Sequence, residues 1–268
     1  MSRPTVCTFR LPKRNAPWPE YEDDSGWLRS KRETLSDNDP RFLRVVVTDG
    51  ASESMLAGRW ARHLVAVFLR APEDLATKDG FAAAYQRAVH AWPDEVASYR
   101  REREERNTPV QWYLEPGLAK GAYATLLVAE FRCAADGRGA QWRAAAVGDS
   151  SLFQTRGDQL LRSFPFEKST AFGNQPALLR SHGTDAAALA GNLRFDAGDL
   201  APGDILLLAT DALSAWILKS AEEGDRQWQA LNGFNAGDRP GFVRLIAGLR
   251  ERGELKNDDT TLVRVNAG

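Results

Sequence analysis

The sequence predicts an α+β chain in which sheets pack together with helices outside them. Three observations carry this. Short apolar and β-branched runs recur from Ala122 onward with Gly- and Asp-containing turns between them. Helical stripes are few, and they do not alternate with the strand-like runs as a doubly wound parallel sheet requires. With 268 residues, 43% of them hydrophobic, length fits one large or two small domains, and the reading is a single domain over residues 1–268.

In chain order, residues 1 to 40 are rich in Pro and charge, which predicts strands and loops ending at the breaker Asn38-Asp39-Pro40. Phe42 to Val47 is an apolar run stopping at Thr48-Asp49-Gly50, the pattern of a buried strand that ends in a functional loop. Ser52 is placed to cap a helix whose Met55, Leu56, Trp60, His63, Leu64, Val67 and Phe68 recur at helical spacing. A second helix starts near Gly80, with Phe81, Tyr85, Ala88, Val89 and Trp92 on one face and Pro93 as a kink or fresh start. The mixed charges from Arg100 to Arg106 read as a solvated face. Strands follow at Tyr123 to Phe131, Gln141 to Val147 and Ser151 to Thr155, joined as hairpins. Further strands are expected at Leu193 to Phe195, at Ile205 to Ala209 after the turn Pro202-Gly203-Asp204, and at Thr260 to Val265. Between them, Phe242, Leu245, Ile246 and Leu249 form one more helical stripe.

Lys plus Arg number 35 against 36 Asp plus Glu, so no net field points to nucleic acid or an anionic membrane as partner. Cys7 and Cys133 are too few and too far apart for a disulfide framework or a zinc knuckle. The first residues lack the apolar centre of a signal peptide, and no stretch approaches the roughly 18 apolar residues of a membrane span. A soluble, cytoplasmic, monomeric protein is the expectation.

The chemistry is carried by aspartates at strand ends, in VVVTDGAS at Asp49, AAVGDSS at Asp149, LLLATDALS at Asp211 and NDDTTLVRV at Asp258 and Asp259. One such Asp is ordinarily a turn former or a helix cap, and the repetition is what sets these apart. If they converge, each pair of carboxylates at about 4 Å repels by ~4 kcal/mol at an effective dielectric near 20. No His, Arg or Lys within those motifs offsets this, so cations must. All-oxygen ligation suits Mn²⁺ or Mg²⁺, whereas zinc favours the His and Cys that are scarce here. Two such ions about 4 Å apart can generate a bridging hydroxide and clamp phosphoryl oxygens, which makes phosphoester hydrolysis the natural reaction class.

The segments EDD at Glu22 to Asp24, VTDGASES at Thr48 to Ser54, GAYATLL at Gly121 to Leu127, VGDSSLF at Val147 to Phe153, ATDALSAW at Ala209 to Trp216 and DDTTLV at Asp258 to Val263 resemble protein phosphatase 2C. They are similar to the bacterial branch of that metal-dependent (PPM-type) family and stand in the family's order across nearly the whole chain. The resemblance implies a central β-sandwich of two antiparallel sheets flanked by helices, with two metal ions in a cleft at one end. It implies that Asp49 bridges both metals, that the Gly50 carbonyl binds one, and that Asp211 and Asp258 complete that ion's shell. Glu22 and Asp23 would act mainly through metal-bound waters, and Asp149 would serve a third, weaker metal or the surrounding network. The implied partners are a phosphoserine or phosphothreonine protein and its kinase system.

The sequence departs from the family at two places. Where many members carry a His that can protonate the leaving group, this chain has Ala51, so a general acid worth ~10² to 10⁴ in rate is missing. The phosphate-binding Arg that commonly lies just before the early Glu-Asp is replaced by Trp18-Pro19-Glu20-Tyr21, leaving Lys13, ranked ahead of Arg14, to reach in from upstream. His63 reads as a packing residue, and the absence of GxSxG excludes a nucleophile elbow at Ser150 or Ser151. The stretch from Phe164 to Phe172, with Gly173-Asn174 after it, is expected beside the cleft. The leading reading is an active serine/threonine phosphatase. A weakly active binding module and a hydrolase of small phosphoesters stand behind it.

Overall fold

A computed structural model describes residues 4–29, 42–133, 140–173, 175–183 and 186–268; the expected breaker Asn38-Asp39-Pro40, residues 134–139 and Asn174 lie outside the described residues. In chain order the elements are β1 (Thr5–Leu11), β2 (Asp24–Arg29), β3 (Phe42–Thr48), α1 (Ala57–Leu69), α2 (Lys78–Glu105), α3 (Glu115–Lys120), β4 (Tyr123–Ala124), β5 (Leu126–Cys133), β6 (Ala140–Val147), β7 (Ser151–Arg156), β8 (Gln159–Phe164) and β9 (Leu179–Arg180). There follow α4 (Ala186–Asn192), β10 (Arg194–Leu200), β11 (Asp204–Ala209), α5 (Asp211–Glu223), α6 (Ala230–Gly233), α7 (Arg239–Glu251) and β12 (Thr260–Asn266). Two five-stranded sheets have the orders β1-β12-β11-β7-β8 and β10-β6-β5-β3-β2, and every pairing in both is antiparallel.

Strand parity builds the layers. Successive side chains of a strand point to opposite faces, so a strand apolar on both faces feeds two cores. Val45 and Val47 enter the core between the sheets, where they meet Leu127, Ala144, Leu206 and Val263, while Val46, Leu126 and Val128 face Trp60, Leu64, Phe68 and Phe81 of α1 and α2. On the other sheet, Leu207, Ala209 and Leu262 turn outward onto Leu213, Ile217, Phe242 and Ile246 of α5 and α7. The result is the expected four-layer α-β-β-α sandwich. Arg44 joins the first helical layer to its sheet: its guanidinium lies 2.6 Å from buried Glu130 and donates to the carbonyls of Phe68, Leu69 and Ala71 at the C-terminal end of α1, so a buried charge is fully partnered.

Several local expectations are corrected. Ser52 does not cap a helix, because its hydroxyl donates to Glu22 instead; α1 begins at Ala57, after turns that end with Leu56 at φ 65°. Pro93 neither breaks nor restarts α2, which runs through it while Trp92, buried beside Trp60 and His63, fixes that stretch to the core. The charged end of α2 is a solvated face as expected, with Glu102 pairing with Arg59 and Arg100 lying 2.6 Å from Glu115 at the surface. The expected strand Tyr123 to Phe131 is interrupted at Thr125. The stretch after Phe164 belongs elsewhere than beside the site: Ser169 donates to Glu222, about 16 Å along α5 from Asp211, and Phe166 and Phe172 pack against the core under that helix.

Thr77 caps α2 by accepting from the Gly80 N–H at 3.1 Å. Thr77→Ala is expected to cost about 1 kcal/mol in denaturant unfolding, the usual worth of such a cap.

Candidate metal centre

The registers bring the aspartate motifs to one end of the sandwich. Asp24 lies opposite Thr48 across β2 and β3, and Leu126 opposite Val147 across β5 and β6. Ser151 lies opposite Ala209, and Ala209 opposite Leu262, in the other sheet. Asp23, Asp49, Asp149, Asp211 and Asp259 each sit one to three residues beyond such a pair, so antiparallel pairing collects those of each sheet and the stacking of the two sheets brings both sets to one end. Backbone contacts then fix their positions. The Asp49 N–H donates to the Thr125 hydroxyl at 3.1 Å, and the Thr125 N–H returns a bond to the Asp49 carbonyl at 2.8 Å. The same hydroxyl lies 2.9 Å from that of Ser150, which ties the end of β3 to the β6–β7 hairpin. Glycine is required at two of these bends. A side chain at Gly50 would meet the Glu22 carbonyl at 2.8 Å, and Gly148 has φ +102° with Thr125 at 2.6 Å from the place a Cβ would take.

The carboxylates are buried with too little positive charge. Withdrawal from water, reinforced by Asp259 and Asp211, pushes the Asp23 carboxyl well above the usual range. Asp49 is pushed up in the same way, first by desolvation and then by Asp23, Asp211, Asp149 and Asp258. Burial, with Asp211 next, lifts Asp149 to about 7. Asp211 is raised by burial although Lys256 opposes the rise. Asp23 Oδ2 accepts from the hydroxyls of Thr210 and Thr261, each at 3.0 Å. Asp23 Oδ1 and Asp149 Oδ1 are buried with no hydrogen-bond partner.

The remaining candidates stand at the rim. Glu22 donates its N–H to Asp259 Oδ2 at 2.7 Å, and its carboxylate meets Ser52 and Lys13. Lys13 Nζ is 3.4 Å from Glu22 Oε2 and 3.4 Å from Ser52 Oγ. Arg14 is not brought to the aspartates; its guanidinium reaches Glu251 at 3.5 Å. Asp259 accepts both the Lys13 and the Glu22 N–H, so it staples the N-terminal segments to the start of β12. Ala51 presents no proton donor beyond its backbone N–H, which goes to the Tyr123 carbonyl. His63 is buried in α1 with Nε2 3.0 Å from the Ala88 carbonyl, consistent with packing.

Sequence reasoning missed Thr125, Thr210, Thr261 and Lys256. The threonines stand within the quoted motifs GAYATLL, ATDALSAW and DDTTLV, and Lys256 stands two residues before Asp258, so the signal was adjacency to an aspartate motif. Lys256 Nζ lies 2.7 Å from Asp258 Oδ2 and 3.3 Å from Asp211 Oδ2. Among the described residues no three His, Cys, Asp or Glu side chains are gathered closely enough to coordinate one ion as they stand. The donor chemistry nevertheless fits hard divalent cations: every candidate ligand atom is an oxygen, and two buried carboxylate oxygens have nothing else to bind.

No family model matches the sequence, and no curated protein matches it. Solved structures do, over nearly the whole chain. It is similar to the serine/threonine phosphatase Stp1 from Staphylococcus aureus, with TM-score 0.60 and 12% identity over 100% of this chain and 96% of that one. PppA, a key regulatory component of T6SS in Pseudomonas aeruginosa, aligns with TM-score 0.52 and 19% identity over 100% of this chain and 99% of that one. RsbX, solved in complex with magnesium, aligns with TM-score 0.50 and 13% identity over 99% of this chain and 96% of that one. The fold is that of the bacterial protein phosphatase 2C-like, PPM-type phosphatases.

Proposed function

We propose that this chain is a metal-dependent phosphoprotein phosphatase acting on phosphoserine or phosphothreonine. The carrying observation is the set of like-charged aspartates drawn to one end of the sandwich, with two buried carboxylate oxygens left unpaired, in a fold shared with solved serine/threonine phosphatases. Asp49, the Gly50 carbonyl, Asp211 and Asp258 would hold one Mn²⁺ or Mg²⁺. Asp49 would also face a second, toward which Glu22 and Asp23 would act mainly through bound waters, and Asp149 would face a third, weaker one or the surrounding network. Bound cations of this kind supply Lewis acidity and water activated at neutral pH. Lys13, at the rim beside Glu22 and Ser52, would pair with the phosphate dianion, while Arg14 is turned away toward Glu251.

The expected substrate is a phosphoprotein, and the expected unit is a monomeric domain of residues 1–268 in the cytoplasm. Among the described residues no helix is long and apolar enough to cross a membrane. A weakly active binding module is the second reading, favoured by Ala51, which leaves no imidazole to protonate the departing alcohol.

Phosphate release from a phosphothreonine peptide, measured with Mn²⁺, with Mg²⁺ and with chelator, tests this. Release is expected with either metal and none with chelator. Release that persists in chelator would refute the metal requirement. A folded protein that binds Mn²⁺ by calorimetry yet releases nothing would leave the binding module standing.

A further inference from the structure

We propose that Lys256 is a built-in counter-cation whose ammonium bridges Asp211 and Asp258 in the metal-free protein and competes with the divalent ion these two carboxylates would hold. The inference rests on the metal-dependent reading above. Two carboxylates from different elements, one opening α5 and one preceding β12, converge on a single nitrogen at 3.3 and 2.7 Å. That nitrogen takes one oxygen of each carboxylate, and an ammonium and a divalent ion held by the same pair repel each other, so each weakens the other's hold. The lysine's circumstances suit a removable cation: its side chain is 61% exposed, and it can swing into water without disturbing the core. Its neighbour Arg250 is of a different kind, anchored to the Pro12 carbonyl, the Asp258 carbonyl and the Thr260 hydroxyl, and it takes neither carboxylate. Lys13 turns its ammonium to Glu22 and Ser52 instead. Burial works against the Lys256 charge, yet the hydrogen bond to Asp258 and the charges of Asp211 and Asp258 outweigh it and hold the ammonium above its ordinary value.

Two consequences follow from competition at a shared site. Apparent metal affinity is reduced by the fraction of molecules in which the ammonium occupies the carboxylates. The metal-free protein, in turn, is spared part of the repulsion between Asp211 and Asp258. Lys256 would thus set the cation concentration at which the centre fills.

The test is Mn²⁺ titration calorimetry on wild type, Lys256→Gln and Lys256→Arg, with thermal unfolding in chelator as the second readout. Lys256→Gln is expected to bind Mn²⁺ about tenfold more tightly, since it removes a unit charge a few ångströms from a divalent ion. It is also expected to unfold at lower temperature than wild type in chelator, with the difference closing in saturating Mn²⁺. Lys256→Arg, which keeps the charge, should stay near the wild-type affinity. Equal or weaker Mn²⁺ binding by Lys256→Gln overturns the competition while leaving the metal-dependent reading intact. Absence of Mn²⁺ binding in all three proteins overturns both.

Discussion

Asp49→Asn is expected to fold as the wild type does, to be no less stable in chelator, and to lose metal-dependent phosphate release by about 10³-fold or more. The retained fold follows from how Asp49 is held. Its N–H and carbonyl are both fixed by Thr125, and neither bond uses the side chain. The unchanged or raised stability follows from electrostatics, because Asn replaces a carboxyl that desolvation and the charges of Asp23, Asp211, Asp149 and Asp258 all push upward. The lost activity follows from the proposed role, since a neutral amide is a poor ligand for two hard cations at once. Opposite signs for stability and turnover separate a functional carboxylate from a structural one. Initial rates with Mn²⁺ and melting curves with chelator measure the two effects on one preparation. A variant within tenfold of wild-type rate would remove Asp49 from the centre, and a variant that melts early in chelator would make it a structural residue.

The layers were legible because strand parity writes both cores into one string of letters: in Leu43 to Val47 the odd positions fill one core and Val46 fills the other. The aspartates were legible because each closes a strand. Helix α5 left no clear stripe, for a physical reason: Ala212, Leu213, Ser214, Trp216, Ile217, Leu218 and Ser220 are all buried, so most of its circumference is covered and no polar face marks the period. Strand β8 was missed for the opposite reason. It is a sheet edge with Gln159, Leu161 and Arg162 exposed, and little of it alternates. Lys256 and Ser52 were invisible as site residues because their partners, Asp211 and Glu22, are distant in sequence and meet them only through strand pairing, β11 with β12 in one sheet and β2 with β3 in the other. Sequence spacing ranked Lys13 only slightly above Arg14; the chain direction fixed by Asp259 and Asn257 separates them, sending Lys13 to Glu22 and Arg14 to Glu251.

In chelator the protein is expected to be most stable at about pH 4 and to weaken steadily as pH rises toward 8. Asp149 gives the clearest case, with its carboxyl at about 7 in the fold against 3.8 as its ordinary value. Between those values the folded protein holds a proton that the unfolded chain has lost, so raising the pH favours unfolding, by about 1.4 kcal/mol per pH unit for one such group. Integrated over the window the Asp149 penalty approaches roughly 4 kcal/mol, complete above pH 7. Asp23, Asp49 and Asp211 are shifted in the same direction, and because these carboxylates interact they release protons as a set. The acid limb has a different origin. Burial opposes the charge of both groups, yet Asp74, which accepts the Ala76 N–H and pairs with Arg143, and Asp204, which pairs with Arg156, are held below the usual carboxylate range, and the stability they contribute above it is lost as pH falls through their lowered values. Mn²⁺ should reverse the upper limb, since a cation that binds only the folded, deprotonated cluster stabilises it more as protons leave. Denaturant unfolding at pH 5, 6, 7 and 8, with chelator and with Mn²⁺, should therefore give two curves that diverge upward in pH. Asp149→Asn should flatten the chelator curve between pH 5 and 7. A chelator curve that is flat or rising across that interval would mean that the cluster is already neutralised by groups other than protons and metal, and the case for cations at this end of the sandwich would lose its electrostatic basis.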